Sequence, residues 1–352
     1  MSPKKIPVAV LAATGAVGQR FIQLLENHPW FDVVAVTGSA RSVGQKYGDV
    51  CRWLLPTDIP ENVRNLIVLS STPEDIQTPL VFSALPSSQA ETIEPLFAKA
   101  GTAVCTNAGA FRQDPYTPIL LPEVNPEHTA LIHAQRKKNG WDGFIITNPN
   151  CTSTGITIAL KALQNSFGVK RIFATSMQAI SGAGYPGVPS LNILGNIVPY
   201  IAGEEEKASW EPRKMLGTVN KGKLDLAEIG FSFHANRVPV IDGHTVVLTV
   251  ELNAPPADFG LVARSLSGYQ APAISRQLPS TPQPVIRLRA EADRPQPRLD
   301  ITEGMTTVVG RVRPDNLFDL RMVVVSHNTI RGAAGGSIYN AELLVEQGFI
   351  SV

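Results

Sequence analysis

At 352 residues the chain is too long for one small core and suits two domains. A hydrophobic content of 43% fits a globular protein, and a net charge of +1 leaves no bulk attraction to nucleic acid or an anionic membrane. No uncharged apolar run approaches the ~18 residues needed to cross a bilayer, and three cysteines (Cys51, Cys105, Cys151) make neither an even disulfide set nor a CxxC pair. Met-Ser-Pro-Lys-Lys at the start lacks the apolar run of a signal peptide, so a reducing, cytoplasmic setting without structural zinc is expected.

In chain order, the run Val8 to Leu11 ends in Ala-Ala-Thr-Gly-Ala-Val-Gly, and Val17, Phe21, Leu24 and Leu25 then take the spacing of one helical face. Further apolar runs fall at 33–36, 66–69, 80–85 and 103–106, with a helical stretch over 90–100. Short β-rich runs alternating with helices predict a doubly wound parallel sheet over residues 1–150. A glycine-rich turn after a strand and before a helix lets the backbone approach a pyrophosphate at the helix N-terminus. The turn reads AxTGxVG, with Ala12 where a first glycine is usual, and by itself it also fits an ordinary strand–helix turn. At the end of the second strand, Thr37-Gly38-Ser39-Ala40-Arg41-Ser42 carries no acid to hold a ribose 2′-hydroxyl. Arg41 between two serines suits a 2′-phosphate, so NADP is expected over NAD. The other reading is a surface arginine in a polar loop.

Phe144 to Thr147 predicts a strand that runs through Asn148-Pro149-Asn150 into Cys151, where Ile156, Leu160, Leu163 and Phe167 mark a helix face. A cysteine at a helix start is expected to have a lowered thiol pKa. Asn150 and the amides of Thr152 and Ser153 could serve an oxyanion. Cys51 and Cys105 read as buried packing. From Val169 the strands, at about 171–179, 244–252, 305–312 and 318–325, are longer and more alternating. They predict a mixed α+β domain over 151–329. The proline-rich 270–298 reads as a surface loop or insertion carrying edge structure. A thiolate nucleophile needs an acid/base partner. His28, His128 and His133 lie in polar or helical stretches and read as surface. His234, His244 and His327 stay open, with His244 best placed, at a strand mouth after Asp242-Gly243.

Ten stretches, in order and spanning nearly the whole chain, then carry a resemblance: AATGAVGQ (12–19), SARSVGQ (39–45), FSALPSS (82–88), NAGAFR (107–112), LPEVN (121–125), NPNCTST (148–154), MQAISGAGYPG (177–187), GEEEK (203–207), HANRVPVIDGH (234–244) and NTIRGAAGG (328–336). With these the chain resembles the aspartate-semialdehyde dehydrogenases of the type found in archaea and fungi. The resemblance implies a Rossmann-type domain completed by a C-terminal helix (330–352), and a catalytic and dimerisation domain like that of glyceraldehyde-3-phosphate dehydrogenase. It implies Cys151 as nucleophile, His244 as acid/base and Gln178 as the residue that orients the acyl group. It places Glu204 on the substrate ammonium, Arg237 on its α-carboxylate, and Asn107, Arg112 and Lys207 on phosphate. Cofactor contacts would be Thr14, Gly15, Ala16, Val17, Ser39, Arg41, Ser42, Ser87, Ser181, Gly182 and Asn328. The implied reaction is NADPH-dependent conversion of L-4-aspartyl phosphate to L-aspartate 4-semialdehyde through a thioester, in a homodimer or homotetramer, without a metal. On a helix Glu204 and Lys207 would share a face, which also fits a solvated ion pair. Malonyl-CoA reductase and N-acetylglutamyl phosphate reductase are rivals of the same chemistry. An NADP-binding redox sensor is the rival from another class. The pair Glu204 and Arg237, suited to a free α-amino acid head, argues against the acyl rivals.

Overall fold

A computed structural model describes residues 5–351. Six parallel strands form the first sheet: β1 (Ile6–Leu11), β2 (Phe31–Thr37), β3 (Val68–Leu69), β4 (Leu80–Ser83), β5 (Ala103–Thr106) and β6 (Phe144–Thr147). Their spatial order is β3-β2-β1-β4-β5-β6. Helices α1 (Ala16–Leu25), α2 (Ser87–Lys99) and α3 (Leu131–Asn139) belong to this half. Residues of β4, β5 and β6 are buried along their whole length, as expected for strands with apolar layers on both faces. The strand order reverses between β1 and β4. A crevice at such a point, beyond the strand C-termini, is where this architecture takes ligands.

From β6 the chain enters α4 (Cys151–Phe167), whose Ile156, Ile158, Leu160 and Leu163 are buried in the core of a second sheet. Gly155 permits the close approach: a Cβ there would lie 2.5 Å from Ser326 Oγ. This sheet comprises β7 (Val169–Gln178), β10 (Gly230–Arg237), β11 (His244–Leu252), β12 (Ile286–Arg289), β13 (Thr307–Pro314) and β14 (Leu320–Ser326), after a small hairpin of β8 (Thr218–Asn220) and β9 (Lys223–Asp225). The order is β10-β7-β11-β14-β13-β12, parallel at β10/β7 and β12/β13 and antiparallel elsewhere. Sequence pattern predicts four of these six strands. The other two, β10 and β12, are the sheet's edges: β10 is missed, and β12 lies within 270–298, where the sequence predicts edge structure without a range. Helices α5 (Glu204–Met215) and α6 (Gly260–Ser267) follow β7 and β11.

The tail returns to the first sheet. After a π-helical turn, Ile330–Ala334, α7 (Gly335–Glu346) buries Ile338, Ala341 and Leu344 with Phe31, Phe144 and Ile146. The proline-rich segment straps this helix: Ser280 donates to Glu342, and Tyr339 Oη donates to the Ser275 carbonyl. Two histidines correct the surface reading. His28 is buried against Glu342, Nε2 to Oε1 3.0 Å. His128 is fully buried between Asn125 and the Gly217 carbonyl. Each is a polar ring made tolerable by local partners and by one partner distant in sequence. His133 is exposed, and Cys51 and Cys105 are buried. No helix of the described residues is long and apolar enough to cross a membrane.

Candidate active site

The end of β6 and the start of α4 fix the cysteine. Asn150 caps α4, its Oδ1 accepting from the Thr152 and Ser153 amides at 2.8 and 3.2 Å. Both amides thus serve the cap, while Asn150 Nδ2 keeps a second N–H beyond the one it gives to Glu204. Gly332, in the π-helical turn, lies directly behind the nucleophile, where any Cβ would come within 2.6 Å of Cys151 Cβ.

His244 opens β11, and its Nε2 stands 3.2 Å from Cys151 Sγ. The Ala179 amide donates to Nδ1 at 3.1 Å, so the neutral ring carries its proton on Nε2 and meets the sulfur as a donor. Although Cys151 keeps an opening to solvent, desolvation pushes its thiol up to about 12. The Glu204 charge adds to this, while Arg112, Arg237 and the Thr152 amide oppose it. Burial, with Arg237 and His327, brings His244 down to about 3. The expected lowering by the helix start is thus reversed: burial outweighs the α4 amides, and the ligand-free pair is uncharged.

Gln178 ends β7 in register with Arg237, which ends β10. Gln178 Nε2 donates to Glu204 Oε1 at 3.0 Å. Glu204 also accepts from Asn150 Nδ2 and Thr152 Oγ1, both at 3.1 Å. Arg237 Nη1 donates to the Ala179 carbonyl at 2.7 Å. Glu204 is held by neutral donors and Arg237 by a carbonyl, so among these bonds neither charge meets an opposite one. Arg112 is anchored through Nε to the Asn148 carbonyl, Nη1 to Glu211 and Nη2 to the Asn107 carbonyl. It lines a cleft of about 840 Å³ with Asn107, Lys207, Ser87 and Trp210. Lys207 is exposed, three residues beyond buried Glu204 on α5, so the two are not a solvated ion pair.

On the other side lies a cleft of about 320 Å³ lined by Ala16, Ser181, Gly184, Tyr185 and Thr329. The N-terminus of α1, capped by Gly15 with no side-chain bond and no acid in its first turn, lies beside it. Gly18 is required for the turn to close, since a Cβ there would fall 2.4 Å from the Ala12 carbonyl oxygen. Gly38 brings the Ser39–Ser42 loop beside Thr14. Asn328 donates to Ser181 Oγ and accepts from the Gly243 amide, both at 2.8 Å, so it joins this loop to the turn before His244. His234 is exposed against Phe173 and takes no part. His327 is buried and drawn down to about 4 by desolvation. Sequence reasoning misses Glu211, Lys214 and Gly332. Glu211 and Lys214 continue the Glu204–Lys207 spacing at seven and ten residues, which is the signal that could have found them.

A dinucleotide-type parallel sheet, joined to a mixed sheet that presents histidine to a helix-start cysteine, defines an aldehyde dehydrogenase of the acyl-cysteine class. A family model described as semialdehyde dehydrogenase, NAD binding domain matches residues 7–132, and one described as semialdehyde dehydrogenase, dimerisation domain matches 160–331. Aspartate-semialdehyde dehydrogenase of Archaeoglobus fulgidus is 46% identical, covering 97% of this chain and 99% of that protein. The Cryptococcus neoformans enzyme of the same name is 44% identical over 99% of this chain and all of that one. The crystal structure of aspartate semialdehyde dehydrogenase with NADP from Candida albicans superposes with a TM-score of 0.90 at 40% identity, covering 98% of this chain and 100% of that chain. The chain belongs to the aspartate-semialdehyde dehydrogenase family.

Proposed function

We propose that this chain converts L-4-aspartyl phosphate to L-aspartate 4-semialdehyde and phosphate with NADPH, through a thioester on Cys151. The observation that carries this reading is the Cys151–His244 pair flanked by Glu204 and Arg237, two opposite charges whose hydrogen bonds go to neutral groups and not to one another. An α-amino acid head needs such a pair, an anion for its ammonium and a planar cation for its carboxylate. With the head held there, Cys151 Sγ attacks the β-carbonyl as the C–O bond to phosphate breaks, and the thiol proton leaves on the departing hydrogen phosphate beside Arg112, Asn107 and Lys207. His244 Nε2–H faces the reacting sulfur. Its hydrogen bond stabilises the negative charge that builds on the sulfur and on the tetrahedral oxygen left by reduction; that oxygen re-forms the carbonyl as the C–S bond breaks, the aldehyde leaves and the sulfur takes a proton from solvent. Gln178, fixed to Glu204, orients the acyl group.

NADPH, when bound, supplies the hydride that reduces the thioester carbonyl. The residues present fit it: free amides at the α1 N-terminus with no competing acid, a turn closed to any side chain at Gly18, and an exposed Arg41 between Ser39 and Ser42. Thr14, Gly15, Ala16 and Val17 would hold the pyrophosphate, and Ser39, Arg41 and Ser42 the 2′-phosphate. Ser87, Ser181, Gly182 and Asn328 would line the rest of the cleft. We assign residues 1–150 and 330–352 to the cofactor domain and 151–329 to catalysis and dimerisation, in a cytoplasmic homodimer or homotetramer. The test is intact-mass analysis after mixing enzyme, semialdehyde and NADP without phosphate. An aspartyl adduct on Cys151, absent from Cys151→Ala and discharged by phosphate, is expected. An unmodified cysteine under turnover conditions would remove the thioester.

A further inference from the structure

Glu211 is a buried carboxylate that no step above uses. Its two oxygens go to different walls of the site. Oε1 accepts from Arg112 Nη1 at 3.0 Å, and Oε2 accepts from the backbone N–H of Asn150 at 2.6 Å. Asn150 is the cap of the helix that begins with Cys151. One carboxylate therefore joins the cation on the phosphate side to the backbone that sets the nucleophile.

The helix that carries it is built for this. Glu204, Lys207, Glu211 and Lys214 recur at intervals of three, four and three, one face of α5 turned to the site. Lys214 is buried too, and its Nζ donates to the carbonyls of Arg112, Asp114 and Thr117, each at 2.7 Å. It grips the loop that bears Arg112 from behind. Arg112 thus has all three of its nitrogens anchored, to Asn148, Asn107 and Glu211, so its plane is set before any ligand arrives. A guanidinium selects a tetrahedral anion by the direction of its N–H bonds, and a set plane aims the remaining ones. A carboxylate kept only to stabilise the fold could as well take both bonds from one element. Here it spans the phosphate side and the nucleophile.

We propose that Glu211 is a positioning residue for phosphate: through Arg112 and the Asn150 amide it fixes the distance and angle between the phosphate subsite and Cys151 Sγ. This rests on the reading of Arg112 as a phosphate ligand. The experiment is steady-state kinetics of the full chain in the oxidative direction, varying inorganic phosphate, for the parent, Glu211→Gln, Arg112→Lys and the double variant. Glu211→Gln keeps the shape and loses the charge. It should raise the KM for phosphate about tenfold, the worth of one charge-assisted hydrogen bond, while the KM values for semialdehyde and NADP stay unchanged. In the Arg112→Lys background it should add nothing further, because its effect runs through the guanidinium. If Glu211→Gln does not fold, Glu211→Asp, one methylene too short to reach both partners, carries the same expectation. A raised phosphate KM for Arg112→Lys beside an unchanged one for the Glu211 variants would overturn the positioning role alone. An unchanged phosphate KM for Arg112→Lys would overturn the phosphate reading and this inference with it. A fall in thermal stability with all KM values unchanged would leave Glu211 a purely structural ion pair.

Discussion

Replacing Gly182 by alanine places one methyl group against the catalytic pair. A Cβ at this position would lie 2.8 Å from Arg237 Nη1, 3.1 Å from His244 Cε1 and 3.2 Å from His244 Nε2. Ordinary contact needs more than 3.4 Å, so the guanidinium must retreat by roughly half an ångström and the imidazole by a few tenths. Neither can do so freely: Nη1 is bonded to the Ala179 carbonyl and His244 Nδ1 to the Ala179 amide. Gly182 is exposed and its φ is not positive, so the backbone tolerates alanine and stability should hardly change. Misplacing an acid/base group by this much costs about 10- to 100-fold in kcat. The assay is kcat at saturating substrates beside a thermal melt. A variant with unchanged melting temperature and kcat equal to the parent's would refute the reasoning that this pair is set by the 180–184 turn.

Three further outcomes follow from the same physical picture. With its thiol pushed up to about 12, Cys151 in the ligand-free enzyme should be alkylated by iodoacetamide at a rate that climbs about tenfold per pH unit. A plateau reached below pH 8 would contradict the burial argument. Burial raises the Glu94 carboxyl to about 7, and one of its oxygens has no partner. Because the folded pKa lies above the unfolded one, ionising Glu94 weakens the fold as pH rises from the unfolded value through 7 and costs nothing below it. Glu94→Gln should therefore gain stability over the parent between pH 5 and pH 8.5 by on the order of 3 kcal/mol, seen as melting temperatures that diverge with pH; parallel melting curves would refute it. Ala12 has φ +54°, where a Cβ is strained, so Ala12→Gly should stabilise by about 1 kcal/mol, read from the melt, and a lower melting temperature would count against it.

The first sheet is legible in the sequence because strands covered on both faces leave unbroken apolar runs. The runs at 103–106 and 144–147 are the strands themselves. Edge strand β10 gives no such signal: among named strands it pairs with β7, with one further bridge from Arg237 to Val198, its burial alternates, and its exposed positions include His234. His28 and His128 show why local polarity misplaces a histidine, since each has one Nε2 partner far along the chain, 314 and 89 residues away. The candidate site is half legible. Motifs pick out Cys151, His244, Glu204 and Arg237, and the structure brings all four together. What the chain cannot show locally is dielectric: the reversal of the expected thiol shift comes from burial by β11, α5 and the tail turn. Glu211 and Lys214 repeat a helical period that sequence displays, but their partners sit on a loop about a hundred residues earlier.

The central claim is that Cys151 passes an aspartyl group between phosphate and hydride. The most direct measurement is NADPH formation from L-aspartate 4-semialdehyde and NADP, followed by absorbance with and without inorganic phosphate, for the parent and for Cys151→Ala. Turnover that requires phosphate and vanishes in the variant is the predicted result. Turnover indifferent to phosphate, or surviving the loss of Cys151, would contradict the account.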